Sequence, residues 1–373
     1  MSDKSQGAEL EIVKPEESFT PVYSPGEILQ RRVLRFTLGI TLAVAISALV
    51  NWTLAYIMPI LLAKFLVDRQ APRVQTVYEL VISMLLTIVI AWFVSVGLLE
   101  YPSLLLPLIA VLLLVSYYLF TDPRWNFFAT MLLVSSLVIP YTAIISPGIG
   151  MVVGVGLCFS GLVSVLLFSL LHIYLPDLAG EKEQLAESEL DKATRLFESV
   201  KALIIAFPVI VFIYTFELSG AMLTMIFVAI LSLQTAGQKS VKLTLFMLLT
   251  NIIGGIIAIV VYNLVSFVPV IGFYLCLIFV ISLQFAHKMY ANPDKAMVFS
   301  TIFSTLLVLV SSTMASGSGD VDSNFYARIA QIGGACVYLV VISFFIEGKK
   351  WNRLRSLFID QASTKEPIKY ETK

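Results

Sequence analysis

The sequence predicts an all-α, polytopic integral membrane protein, with about twelve transmembrane helices arranged as two parallel six-helix repeats. Three observations predict it. The 373 residues are 58% apolar and 13% charged, with a mean hydropathy of +0.90, well outside the range of a soluble domain. Charged residues collect in the first 35 positions, in 177–201 and after 348, and otherwise only punctuate the chain. The apolar runs between them are about 17–26 residues long, enough to cross a bilayer as helices, and the alternating short strands of a barrel are absent. Finally, landmarks of the first six runs recur in order in the second six.

A polar cytoplasmic tail covers 1–30. Within it "SPGE" at 24–27 has the form of a capping box, with Ser24 as N-cap, Pro25 at the first helical position and Glu27 at the third. It opens a short interfacial helix through "ILQRRVLRF" that lays its arginines among headgroups. A cleavable signal would instead carry a short charged region directly before its apolar core, so Phe36–Val50 reads as a retained helix.

The first repeat occupies 31–176, with spans at 36–50, 52–66, 74–98, 103–120, 126–145 and 150–173. The run Phe36–Leu66 would be about 46 Å long as one helix, against a hydrocarbon core of about 30 Å. It is therefore a short hairpin, turning at Asn51 on the external face with Trp52 at headgroup depth. Segment 177–200 follows as a cytoplasmic connecting helix, with Leu185, Leu190, Ala193, Leu196 and Phe197 loosely on one face. The second repeat occupies 201–347, with spans at 201–217, 220–235, 241–265, 269–287, 296–314 and 326–347. Its first pair mirrors the hairpin, turning at Glu217–Gly220. A cytoplasmic tail covers 348–373.

The repeat rests on an ordered set of matches. Arg35 opens the first run and Lys201 the seventh, and Glu217 stands as far beyond Lys201 as Asn51 stands beyond Arg35. Pro102 starts the fourth run and Pro269 the tenth, and the loops that follow are "FTDPRW" and "YANPDK", each with an Asx-Pro turn. Six is an even number, so both halves insert the same way up, as in parallel-repeat transporters. With both termini in the cytoplasm, nearly every Lys and Arg lies on the cytoplasmic side and Arg328 alone lies outside, as the positive-inside bias requires.

Catalytic motifs are lacking. His172 and His287 are the only histidines, and no P-loop, G-x-S-x-G or H-E-x-x-H pattern occurs. Cys158, Cys276 and Cys336 all fall inside apolar runs and read as small buried hydrophobes, neither disulfides nor zinc ligands. No enzymatic role, cofactor or metal is indicated, and a net charge of zero gives no reason to expect nucleic acid as a partner.

Intramembrane polar residues are the better guide, since each costs free energy unless paired or functional. Glu79 lies about 8 Å inside the third helix by helical rise. It is either an interfacial carboxylate paired with Arg73 or Arg35, or a proton-coupling or gating group. Asn251, near the centre of the ninth helix, either hydrogen-bonds a neighbouring helix brought close by Gly254 and Gly255, or faces a central cavity. Pro59 and Pro208 interrupt apolar helices and should kink them. Arg35 and Lys201 are either topology anchors or the first charges met by a small organic anion leaving the cytoplasm.

Over "RRVLRFTLGITLAVAISALVNWTLAYIMPILLAKFL", with Arg35, Trp52 and Pro59 as the matching residues, the chain resembles the fusaric-acid-resistance and aromatic-carboxylic-acid exporter superfamily. In particular it is similar to a compact bacterial branch known as a conserved domain of unknown function. The resemblance implies an inner-membrane location and export of amphipathic aromatic acids, together with a periplasmic adaptor of the membrane-fusion type. The larger exporters carry an extended cytoplasmic domain between their halves, where this chain has only 177–200, and their glycine in the third helix has no counterpart in Val74–Val96. Three readings follow. The first is an efflux permease for small organic anions, the second a non-transporting membrane subunit that anchors a partner, and the third, trailing, an intramembrane enzyme acting on lipid-linked substrates. The bilayer, an organic anion, the adaptor and a second copy of the chain are the candidate partners.

Overall fold

The computed structural model describes residues 24–52, 54–68, 74–98, 101–122, 124–177, 191–216, 221–236, 241–314 and 321–346. Among them run twelve α-helices and one 3-10 turn, with no strand. The helices are α1 (Pro25–Val50), α2 (Ile57–Asp68), α3 (Val74–Leu98), α4 (Pro102–Phe120), α5 (Asn126–Ile145) and α6 (Pro147–Tyr174), then α7 (Lys192–Thr215), α8 (Met222–Ala236), α9 (Val241–Phe267), α10 (Ile271–Ala291), α11 (Ala296–Met314) and α12 (Val321–Ile346). Eight, namely α1, α4 to α7 and α9 to α11, contain stretches long and apolar enough to cross a membrane. The protein is an all-helical, multi-pass membrane protein. By contrast α2 and α8, with 12 and 15 residues, are too short to span.

Helix α1 begins at the capping box. Ser24 Oγ accepts from the Glu27 N–H at 3.3 Å, and Glu27 Oε2 accepts from the Ser24 N–H at 3.1 Å. The expected interfacial helix is not a separate element, because nothing between Arg35 and Phe36 breaks the helix and its residues form the first turns of α1. The helix ends on Asn51, which adopts φ 46°, ψ 49° and donates its N–H to the Ser47 carbonyl at 3.1 Å. Asparagine tolerates this left-handed conformation and a β-branched residue does not. Asn51→Gly is therefore expected to melt like the parent in detergent, and Asn51→Val to lose about 1–2 kcal/mol.

The hairpin that follows stops short. By helical rise, the 28 residues of α6 extend about 42 Å. Trp52 Nε1 donates to Ser160 Oγ at 2.7 Å, Ser160 Oγ donates to the Leu54 carbonyl at 3.0 Å, and Ser164 Oγ donates to the Met58 carbonyl at 2.9 Å. This register runs α2 alongside the C-terminal half of α6 and sets Trp52 beside its midpoint, about 20 Å from either end. Trp52 therefore packs against the middle of α6 and not at a helix end. Its indole N–H is satisfied inside the bundle and its ring meets Phe159 edge-on at 5.0 Å, so it has no need of an aqueous interface.

Helices α7 and α8 repeat the arrangement against α12. The Tyr338 hydroxyl donates to the Ile205 carbonyl at 2.8 Å, and the Thr224 hydroxyl donates to Gln331 Oε1 at 3.0 Å, in the interior of α12. The turn expected at Glu217–Gly220 lies outside the described residues. So does 178–190 of the connecting segment, whose last residues belong to α7. That helix starts at Lys192, with the Asp191 side chain accepting from the Ala193 N–H at 3.3 Å, and not at Lys201.

Packing partners recur under a shift of six. Helix α3 packs on α5 as α9 packs on α11, and α2 on α6 as α8 on α12. Across the middle of the chain, α1 packs on α10 as α7 packs on α4, and α2 on α11 as α8 on α5. The two apolar cores draw side chains from both groups of six. One joins Phe36, Met58 and Phe65 to Phe303 and Leu306, and the other joins Leu113, Leu133 and Leu137 to Ile210, Met225 and Val228.

Candidate functional site

At the base of the first hairpin lies a charge cluster. Arg35 sits on the α1 face that packs against α6, with only 2% of its surface exposed. Its Nη1 donates to the Leu175 carbonyl at 3.1 Å, meeting the C-terminal end of α6, where the helix dipole favours a cation. Its Nη2 donates to Asp177 Oδ2 at 3.2 Å, and Arg32 Nε donates to both oxygens of the same carboxylate, at 3.2 and 3.0 Å. Partial burial pushes the Asp177 pKa up, but the Arg32 hydrogen bond and charge and the Arg35 charge outweigh it. The carboxyl is held below its usual range. Tyr290 of α10 lies next to this cluster, stacking edge-on with Phe36 at 6.3 Å and donating to the Leu66 carbonyl at 3.0 Å. Arg35 is thus matched by Asp177, a residue that sequence reasoning did not single out.

Lys201 occupies the related place on α7 and is 9% exposed. Its Nζ lies 3.7 Å from Glu198 Oε2, one turn earlier on the same helix. Nearby, Arg195 ties α7 to the end of α4. Its Nε donates to Thr121 Oγ1 at 2.7 Å, its Nη2 donates to the Tyr118 carbonyl at 3.2 Å, its guanidinium lies 4.6 Å from the Tyr118 ring centroid, and Asp122 is 3.8 Å away. Arg195 and Asp122 were also missed, although the Asx-Pro turn at Asp122 marks the place.

The remaining candidates separate. Asn251 Oδ1 accepts from the Thr305 hydroxyl at 2.7 Å, a bond between α9 and α11. Gly254 makes the approach possible, because a Cβ there would lie 2.8 Å from the Ile302 carbonyl oxygen; at Gly255 the space is open. Glu79 lies on α3, but its side chain is outside the described residues. Pro59 is not a kink. It is the third residue of α2, where its missing N–H is one the helix start would leave unpaired in any case. Pro208 does lie inside α7, and Pro140 inside α5 was overlooked. The carbonyl three residues before each accepts a tyrosine hydroxyl at 2.8 Å, Ile205 from Tyr338 and Leu137 from Tyr214. Of the cysteines, Cys336 is buried, Cys158 is partly buried and Cys276 is exposed on α10. The expectation of three buried thiols therefore fails at Cys276, which lies on the outer surface of the bundle. Arg35, Lys201 and Asn251 each have their own neighbours on different helices.

Residues 32–171 match the model of a family described as "Protein of unknown function (DUF2955)". Over that span the chain is similar to DUF2955. The DUF2955 span starts on α1, three residues before Arg35, and ends on α6, so it takes in the first six helices and Ser160 and Ser164. No curated protein and no solved structure matches the chain. The DUF2955 description carries no activity, and these comparisons do not link the chain to the fusaric-acid-resistance superfamily.

Proposed function

We propose that the chain is an inner-membrane efflux permease for small amphipathic organic acids, built from two parallel six-helix repeats with both termini cytoplasmic. The observation that carries this reading is the pair of short hairpins whose neighbours recur under a shift of six helices. Helices that break off inside a bundle are the usual material of a transport path between repeats. The basic residues at the hairpin bases, Arg32, Arg35, Arg195 and Lys201, support a cytoplasmic base under the positive-inside bias. In this reading Asp177 and Glu198 hold Arg35 and Lys201 in position, and the carboxylate of the cargo trades places with them. Glu79 is the proton-linked group, and a periplasmic membrane-fusion adaptor takes the acid onward.

The test is accumulation of a labelled aromatic acid in cells with and without the protein. Arg35→Gln combined with Lys201→Gln is expected to abolish the difference while leaving the protein in the membrane, since Arg32 still pairs with Asp177. Export at the parental rate in both this variant and Glu79→Gln would remove those residues from the mechanism. A second reading, a non-transporting subunit that anchors a partner, is favoured by the apolar cores that bridge the two groups of helices. It takes over if the parent exports none of a broad panel of acids.

A further inference from the structure

The first hairpin ends beside the middle of α6, and its tip is uncovered. Leu49 and Val50 are 74% and 63% exposed, and Ala48 and Asn51 are exposed as well. Consecutive positions point about 100° apart around a helix, so the exposure of 48–51 reaches beyond the outward stripe of Leu34, Leu38 and Leu42, while Ser47, Leu54 and Ala55 on the α6 side of the tip are buried. The backbone there is irregular, with Asn51 left-handed at φ 46°, and the last carbonyls of α1 have no helical donors. Hydrocarbon cannot satisfy such groups at that depth. Helix α7 also ends on exposed residues, Thr215 and Phe216, although Phe216 at φ −96° is not left-handed.

We infer that the tip of the α1–α2 hairpin is the floor of a water-filled vestibule, open to the external side and reaching about half-way through the membrane. The hairpin enters from the cytoplasmic side, and the N-terminal half of α6 continues past its tip towards the outside. The inference rests on the membrane orientation proposed above but not on the cargo, so a failed export assay leaves it standing.

The test uses the full chain in intact cells, with Cys158→Ala, Cys276→Ala and Cys336→Ala as background. A membrane-impermeant charged methanethiosulfonate is expected to modify Val50→Cys at least tenfold faster than Leu42→Cys, which lies two turns down the outward stripe. Equal rates, no reaction at Val50→Cys, or reaction only in inside-out vesicles would overturn the proposal. A tip covered by lipid or by a second copy gives the unreactive result. Depth is read separately by thiol cross-linking. Trp52→Cys is expected to link to Phe159→Cys and not to Val152→Cys, two turns nearer the external end on the same face of α6, where both partners are exposed. Linking to Val152→Cys instead would mean that the hairpin spans the membrane and would also sink the proposal.

Discussion

Replacing Asp177 with alanine is expected to destabilise the protein by about 3 kcal/mol, the lower end for a buried ion pair broken from one side. The cost arises at Arg35, whose guanidinium would stay buried with only the Leu175 carbonyl to receive it. The lower end applies because Asp177 keeps 13% of its side chain exposed. Arg32→Gln should cost less, since Asp177 would retain Arg35, and the more exposed Arg32 can turn to water in the reverse case. The pH dependence has a definite sign. The pKa of Asp177 is lowered in the folded protein, so its stabilisation is complete above the unfolded value of about 3.9 and is lost as pH falls through the folded value. Melting temperature in detergent should show no pH-dependent change from this group between pH 7 and 5, where its contribution is constant. Below about pH 4 the gap between parent and Asp177→Ala should narrow. A gap that widens on acidification would contradict the pairing.

Gly254→Val is expected to be as damaging as the loss of Asp177, while its neighbour Gly255→Val is nearly silent. A Cβ on Gly254 would lie 2.8 Å from the Ile302 carbonyl oxygen and 2.9 Å from Thr305 Cβ, and a backbone oxygen cannot swing aside. Helices α9 and α11 must then separate. Overpacking of this kind costs about 1–3 kcal/mol, and the separation also breaks the Asn251–Thr305 bond, worth about 1 kcal/mol inside a membrane. At Gly255 no atom lies within 4 Å of the added carbon. Thermal melting of the two purified variants decides the point, and equal losses would refute the close approach.

The local features of the fold were legible because they depend on neighbours in sequence. The capping box at Ser24, the turn at Asn51 and the short arm after it follow from backbone chemistry and run length, whereas the arm before it proved to be the last part of a 26-residue helix. The register of the hairpin against α6 was not legible. It is set by Ser160 and Ser164, more than a hundred residues away. Trp52 was placed at an interface because tryptophan commonly sits there, when its N–H had a partner inside the bundle. The start of α7 was misplaced because Lys192–Val200 is charged yet helix-forming, and charge marks where a helix leaves the bilayer without marking where it ends. Asp177 was lost in an acidic stretch. An ion pair between positions 35 and 177 has no local signature in a single sequence.

The pairing of α1 with α10 has a consequence for how the chain is made. Phe36 is covered by Tyr290 and Phe303, residues that a ribosome adds more than 250 positions later. At about 5–20 residues per second, the first hairpin waits at least ten seconds for the surface that will enclose it. Its apolar faces can wait in lipid, which is no worse a solvent for leucine than another helix. Its bent tip cannot, until Ser160 and Ser164 emerge to receive it. The first hairpin therefore gains its tip contacts only after α6 has been made, and a ribosome stalled after α3 would leave the hairpin tip without its α6 hydrogen-bond partners.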